Sequence, residues 1–304
     1  MILVSGGSGT IGARLVKGLR RRGFEVRALT LPGDPFLHRL EGCGVEVFHG
    51  DVSDAGSLCG AFDGVKTVYH LAAVVIAHDY SVYQRINVRG TGNMLEAAAA
   101  AGVEHFIHVS SASVVYPHTT PYSRSKRACE QLVRARDDLA WTIVRPTLVY
   151  EAGGGQEFMM FWDYLRRFPV VPFIGAGDSL KNPVHVDDLM RGLIAIADEP
   201  RSHGQTYNLC GGEELSLREM ARLMLAADGT PKPFVHLPVP LCRALALALR
   251  GLLREPPLTL SAIAGVTQAA DLDRSSAERD LGYAPVGFRE GLARCAEAVH
   301  PTEV

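Results

Sequence analysis

The sequence has no long apolar run. Its most hydrophobic late stretch, residues 240–253, covers about 14 residues and is interrupted by Arg243 and Arg250, short of the roughly 20 that a membrane-spanning helix needs. It is expected to be a buried or partner-facing helix, and no integral membrane segment is expected. The opening MILVSGG carries no basic stretch and too short an apolar one for a secretory signal, so a cytoplasmic location is expected. Charge of one sign is also missing. Against 33 Asp plus Glu stand 31 Lys plus Arg, a formal charge of -2, so no global field would gather nucleic acid or an anionic membrane. The six cysteines, at 43, 59, 129, 210, 242 and 295, show no CxxC and no metal-ligand spacing; they read as reduced intracellular thiols, with no zinc and no disulfide. Aromatics are few, at 7%. What remains is 304 residues, 47% hydrophobic and 21% charged, enough for one large domain or two unequal ones.

From residue 1 to about 150, short β-branched runs alternate with helical stretches, as in a doubly wound parallel α/β sheet of the Rossmann type. Strands are expected at 2–5, 25–30, 45–49, 67–71, 105–110 and 141–145, and the clearest helix over 87–101, closed by Gly102. After Arg145 the alternation stops, and glycines and prolines from Gly153 to Pro183 mark irregular connections. Residues 151–304 are therefore expected to form mainly a smaller substrate lobe, with some later segments returning to the sheet. Helices are expected there at 158–167, 187–197, 216–227 and 288–299, with a strand at 206–209.

The run Ser5-Gly6-Gly7-Ser8-Gly9-Thr10-Ile11-Gly12 follows the first strand and opens a helix. In that setting Gly6 allows a tight turn, Gly9 lets backbone N–H groups reach a pyrophosphate, and Gly12 lets helix and strand pack closely. A dinucleotide is the expected ligand. The second strand ends in Thr30-Leu31-Pro32, with neither the acid that would hold an adenosine ribose nor an Arg for a 2′-phosphate. Asp34 could substitute if its loop folds back, and Arg14 is a weak hint the other way. NAD is favoured and NADP is not excluded.

Tyr122 and Lys126 stand four apart after Pro121, on one face of a helix. A cation beside a phenol stabilises the phenolate, which suits general acid–base work. Ser111, after the fifth strand, could hold a substrate oxygen; strand alternation turns Ser110 the other way.

With these residues in place the chain resembles the extended short-chain dehydrogenase/reductases, the NAD-dependent epimerase/dehydratase family. The resemblance runs through the glycine loop, Asp51-Val52, His70-Leu71-Ala72-Ala73, Asn87, Ser110-Ser111, Tyr122 with Lys126, Arg145-Pro146 and the 183–188 stretch PVHVDD. It implies an enzyme that moves hydride between nicotinamide and a secondary alcohol or ketone. Ser111, Tyr122 and Lys126 would be catalytic. Gly6, Ser8, Gly9, Thr10, Ile11, Gly12, Asp51, Val52, Leu71, Ala72, Ala73, Asn87, Pro146 and Thr147 would bind the cofactor together with Tyr122 and Lys126, and Asp187 and Asp188 would cap the helix that follows them. A homodimer through the helices near 87–101 and 122–136 is also implied.

The sequence departs from the pattern in two places. Nucleotide-sugar enzymes of this kind carry an Arg before the PVHVDD stretch, where Lys181-Asn182 stands here; Lys181 could meet phosphate only as a point charge. Ser111-Ala112-Ser113 brings no Asp-Glu pair, so dehydration ranks low and epimerisation with tightly held NAD is the alternative to net oxidoreduction. A non-catalytic dinucleotide-binding protein ranks below both. Residues 150–167, rich in Met, Phe and Gly, are a candidate substrate lid or a core helix of the second lobe. His70, His108 and His185 read as structural.

Overall fold

The computed structural model describes residues 1–77, 79–152, 154–253, 258–269 and 272–299. Gly153, part of the expected irregular connection, lies outside the described residues. The first half runs β1 (Ile2–Ser5), α1 (Thr10–Arg21), β2 (Val26–Thr30), β3 (Glu46–His49), β4 (Thr67–His70), α2 (Tyr80–Tyr83), α3 (Gly90–Ala100), β5 (His105–Val109), α4 (Pro121–Arg134) and β6 (Ala140–Pro146). The second half runs β7 (Val149–Tyr150), α5 (Gln156–Arg167), β8 (Val171–Ile174), β9 (Leu180–Lys181), β10 (Val184–His185), α6 (Val186–Ile196), β11 (Gln205–Leu209), β12 (Leu215–Ser216), α7 (Leu217–Ala227), β13 (Phe234–Leu237), α8 (Val239–Leu252), α9 (Leu260–Thr267), α10 (Ser275–Leu281) and α11 (Phe288–Val299).

Seven parallel strands form the central sheet, in the order β11-β6-β5-β4-β1-β2-β3. Side chains alternate across each strand, so successive residues of β1 feed different cores. Val4 joins Ala28, Tyr69, Ile107 and Val144 beneath α1 and α6, where Leu15, Leu19, Leu189 and Leu193 close the layer. Leu3 joins Leu29, Val68, Phe106 and Ile143 beneath α3 and α4, through Met94, Leu95, Ala98 and Val133. A third core, around Phe158, Phe173, Met220, Met224 and Phe288, belongs to the smaller lobe built from α5, α7 and α11.

Two stretches expected in the smaller lobe are part of the larger body. The 206–209 run is β11, which pairs with β6 over Gln205↔Thr142 to Leu209↔Pro146. The 187–197 run is α6, whose Leu189, Leu193 and Ile196 pack under the sheet. Both are apolar enough to be buried against a sheet, and local sequence does not say which sheet. The helix expected from residue 87 begins instead as a π-turn, Gln84–Arg89, that continues into α3; such turns are frequent at functional sites. The 240–253 stretch is α8, with Cys242 and Ala246 buried and Leu241 60% exposed.

Candidate active site

The phosphate loop joins β1 to α1. Gly6 takes φ +68, and a Cβ there would press on Ala72 N and Cα at 3.1 Å. A Cβ on Gly12 would overlap the Gly6 carbonyl oxygen, so loop and helix touch backbone to backbone. Gly7 is held to glycine as well, since its Cβ would lie 2.8 Å from that of Ala28. Helix α1 starts without a side-chain cap and without an acid in its first turn. The N–H groups of Thr10, Ile11 and Gly12 therefore have no carbonyl within the helix to bond, and the positive helix end faces the loop. This cradle fits a pyrophosphate.

The loop after β2 folds back onto the cradle. Ser8 Oγ donates to Asp34 Oδ2 at 2.5 Å, and Asp34 Oδ1 accepts from Phe36 N at 2.8 Å. Arg39 Nη1 donates to the Ser8 carbonyl at 3.3 Å, with its guanidinium 4.3 Å over the Phe36 ring. Arg14 is elsewhere: it pairs with Glu151 and lies 3.9 Å from Asp187.

Ser5, which no motif in the sequence assigns to the chemistry, organises the end of β4. Its Oγ bonds His70 Nδ1 at 2.7 Å and accepts from the Leu71 and Ala72 N–H groups at 3.2 Å each. Asp51 accepts from Ser53 N at 2.8 Å, and the Val52 carbonyl accepts from Asn93 at 2.8 Å. Val52 is buried against Gly90, where a Cβ would lie 2.9 Å from it. Asn87 is buried and donates to the Val74 carbonyl at 3.0 Å and Ser125 Oγ at 2.9 Å, while its oxygen accepts from Val74 N at 2.8 Å. Both its donors are engaged within the protein, so it fixes the 71–77 loop rather than presenting its amide to a ligand. Pro146 ends β6, and Thr147 Oγ1 donates to the Asn182 carbonyl at 2.5 Å.

Thr120 and Ser123 form a capping box and Pro121 takes the first turn of α4, which fixes where Tyr122 and Lys126 emerge. Ser111 lies beside the Tyr122 phenol, and Ser111 Oγ is 2.9 Å from Ser113 Oγ. Ser110 instead donates to the buried Glu130 at 2.7 Å; Ser111 is the hydroxyl on the site side. Lys126 is buried and donates to the Val109 carbonyl at 2.7 Å. Burial and the negative charge of Glu157 push the Tyr122 phenol well above its ordinary range, while the neighbouring Ser111 hydroxyl pulls it down. Burial lowers Lys126, opposed by Cys129 and Glu130. The Tyr83 ring stands 6.3 Å from that of Tyr122.

Glu157 escapes a sequence reading because no motif marks it. It lies in the first turn of α5, within the segment expected as a lid, where partial loss of water raises its carboxyl. The same helix sends Phe158 and Leu165 into the lobe core, so the stretch serves packing and cleft together. Lys181 is anchored by the Gly265 and Gln268 carbonyls, to which it donates at 2.9 and 2.6 Å, and burial lowers it to about 8. The cap of α6 is His185, accepting from Asp187 N at 3.3 Å, rather than either aspartate. Asp188 is buried, pairs with the exposed Arg191 and accepts from Val286 N at 2.9 Å. His70 is buried between Ser5 and Thr91, and His108 is buried beside it.

A family model described as the NAD dependent epimerase/dehydratase family matches residues 2–210. Among curated proteins the chain is 30% identical to a 2-alkyl-3-oxoalkanoate reductase of Stenotrophomonas maltophilia, over 96% of this chain and 97% of that one. It is 28% identical to a 3 beta-hydroxysteroid dehydrogenase/Delta 5-->4-isomerase of Mycobacterium tuberculosis, over 97% and 89%. Among solved structures, DesIV, a dTDP-glucose 4,6-dehydratase from Streptomyces venezuelae with NAD bound, superposes with a TM-score of 0.77 at 26% identity, over 99% and 97%.

Proposed function

The chain belongs to the NAD dependent epimerase/dehydratase family, it is an enzyme whose cofactor is NAD, and we propose that it interconverts a secondary alcohol and a ketone by net oxidoreduction with Tyr122 as acid–base. The single observation that carries this reading is Tyr122 standing one helical turn from the buried Lys126, which is anchored on the Val109 carbonyl, in a chain that also carries the glycine cradle. NAD held there would supply the acceptor for the hydride of the carbinol C–H bond, and Tyr122 would take the O–H proton.

The chain's own residues prepare that proton transfer. Ser111 binds the substrate oxygen and orients it toward the phenol. Lys126, anchored on the Val109 carbonyl, places a positive charge one helical turn from Tyr122 and favours the phenolate. The N–H groups at the start of α1, with Gly6, Ser8, Gly9, Thr10, Ile11 and Gly12, would hold the pyrophosphate; Asp51 and Val52 would meet the adenine. Leu71, Ala72 and Ala73 would let the cofactor pass close to the sheet, Pro146 and Thr147 would flank the nicotinamide, and Asn87 would hold that wall in place.

We further place the protein in the cytoplasm as a homodimer paired through α3 and α4. Small half-buried residues Ala97 and Ala99 on α3 and the exposed Leu132 on α4 support that pairing. Light scattering should give near twice the 32.8 kDa chain mass; the chain mass itself would refute the dimer.

Mass spectrometry of the denatured supernatant, followed by NADH and NADPH titrations read by nicotinamide fluorescence, tests the reaction type. Net oxidoreduction requires an exchangeable cofactor. NAD that copurifies and resists dialysis would move the reading to epimerisation, and no response to either cofactor would refute both.

A further inference from the structure

Helix α8 is an apolar stretch of which the fold buries only one side. Cys242 and Ala246 turn inward, where they meet Ile263 of α9 and the partly buried Ile174, Leu237 and Val239. The rest of the helix faces out. Leu241, Leu245, Leu247 and Leu252 are exposed at 60, 49, 57 and 78%. With 3.6 residues per turn, Leu241, Leu245 and Leu252 form one row, within about 40° of each other around the helix. Leu247 stands across the exposed Ala244 and Ala248 from that row. A single exposed leucine needs no explanation, but four on a helix of 14 residues make an unpartnered face.

The charges on this helix have one sign. Arg243 and Arg250, seven residues apart, share the edge of the exposed arc away from the leucine row. No acid accompanies them in sequence, since residues 229–254 contain neither Asp nor Glu. The neighbouring elements β8, β13 and α9 carry none either. A second copy of the chain fits such a face poorly: it brings only more arginines, and an antiparallel pairing of two α8 helices sets the arginine rows side by side. A layer of anionic lipid headgroups supplies both missing partners, phosphates for the guanidinium groups and the acyl boundary for the leucines.

We propose that α8 is a lipid-contact helix, lying in the plane of an anionic membrane surface with its leucine row at the acyl boundary and Arg243 and Arg250 on the headgroup phosphates. The long arginine stems let the charges stay at headgroup level while the helix settles beside them. At 14 residues the helix rests on the surface and does not cross it. The formal charge of the whole chain, -2, gives no help, so the attraction is confined to this face and the attachment is reversible. Nothing in this depends on which reaction the site catalyses.

Flotation of the full chain with vesicles of phosphatidylcholine mixed with phosphatidylglycerol, against vesicles of phosphatidylcholine alone, tests the proposal. The protein should float with the mixed vesicles far more than with the neutral ones, and should come off them as salt screens the charges. Arg243→Gln/Arg250→Gln should lower the partition coefficient by about 25-fold, about fivefold for each charge near an anionic surface. Leu241→Ser/Leu245→Ser should lower it by at least about tenfold. All four positions are exposed and remote from the glycine cradle in sequence, so NADH affinity, the check that each variant is folded, should stay within a few fold. Wild type that floats with neither vesicle overturns the proposal, as does flotation that both double variants retain. Equal flotation with the two vesicle types, unmoved by salt, overturns it without recourse to any variant. A mass by light scattering that halves in Leu241→Ser/Leu245→Ser, with no vesicle binding by the wild type, overturns it in favour of a second copy on this face.

Discussion

Glu130 grips Arg145 with both carboxylate oxygens, Oε1 to Nε at 2.8 Å and Oε2 to Nη2 at 2.6 Å, one helical turn beyond Lys126. Ser110 adds a third bond to the same carboxylate at 2.7 Å. The cluster ties α4 to the ends of β5 and β6, and so fixes the rotation that aims Tyr122 and Lys126. Its members are nearly dry, with side-chain exposures of 5% for Glu130 and 18% for Arg145.

Arg145→Met should therefore cost about 3 kcal/mol of stability, because it leaves a buried carboxylate with only the Ser110 hydroxyl and the Arg134 guanidinium at 3.7 Å, while the double replacement Glu130→Leu/Arg145→Met should recover a large part of that loss. Urea unfolding measures both. A loss below about 1 kcal/mol in the single variant would mean that Glu130 finds water and that the pair does not hold α4.

Tyr122→Phe should lower kcat by about 10²–10⁴-fold, with NADH affinity kept within a few fold. Since burial and Glu157 raise the phenol, the oxidation rate of the wild type should climb with pH through neutrality. Removing the negative charge in Glu157→Gln stabilises the phenolate, so the rising limb should move to lower pH. A limb that stays in place, measured as log kcat/KM against pH, would separate Glu157 from Tyr122 altogether.

Much of this site was legible in the chain because its parts are local. The glycine loop, the helix start at Pro121 and the Tyr122–Lys126 spacing are each set by a few adjacent residues, and the structure gives all three their expected forms. What sequence hid depends on distant partners. Ser5 matters because β1 lies beside β4, Glu157 because its charge acts on Tyr122 from a distant helix, and Lys181 is held by carbonyls 84 and 87 residues away. The same limit moved β11 and α6 into the large body: amphipathic pattern marks a buried face without naming the surface that buries it.

Acid should destabilise the fold through its buried histidines. Burial lowers His70 and His105 to about 3 from an ordinary 6.5. Between those values the unfolded chain binds protons that the native one does not, so stability falls as pH drops below about 6.5. Each group contributes about 1.4 kcal/mol per pH unit at full slope. Replacing His105, which bonds Thr142 at 2.8 Å, with Gln should flatten the slope by one such increment in urea titrations at about pH 4–6; an unchanged slope would place its titration elsewhere.

Asp34 should govern the choice between the two nicotinamide dinucleotides. In a Rossmann fold the adenosine ribose meets the end of β2; in the loop beyond it Asp34 is held by Ser8 and Phe36, and Arg39 donates to the Ser8 carbonyl. A carboxylate in that position accepts from ribose hydroxyls and repels a 2′-phosphate, so the wild type should bind NADH over NADPH. Asp34→Asn removes the repulsion while leaving Arg39 in place, and should improve NADPH affinity by about tenfold. Adding Arg39→Ala to that variant should cancel the gain, most visibly at low salt, where an exposed guanidinium is least screened. Fluorescence titration of all three proteins decides the matter: a wild type that already prefers NADPH would show that Arg39 outweighs Asp34, and that the carboxylate serves only to hold its loop against Ser8.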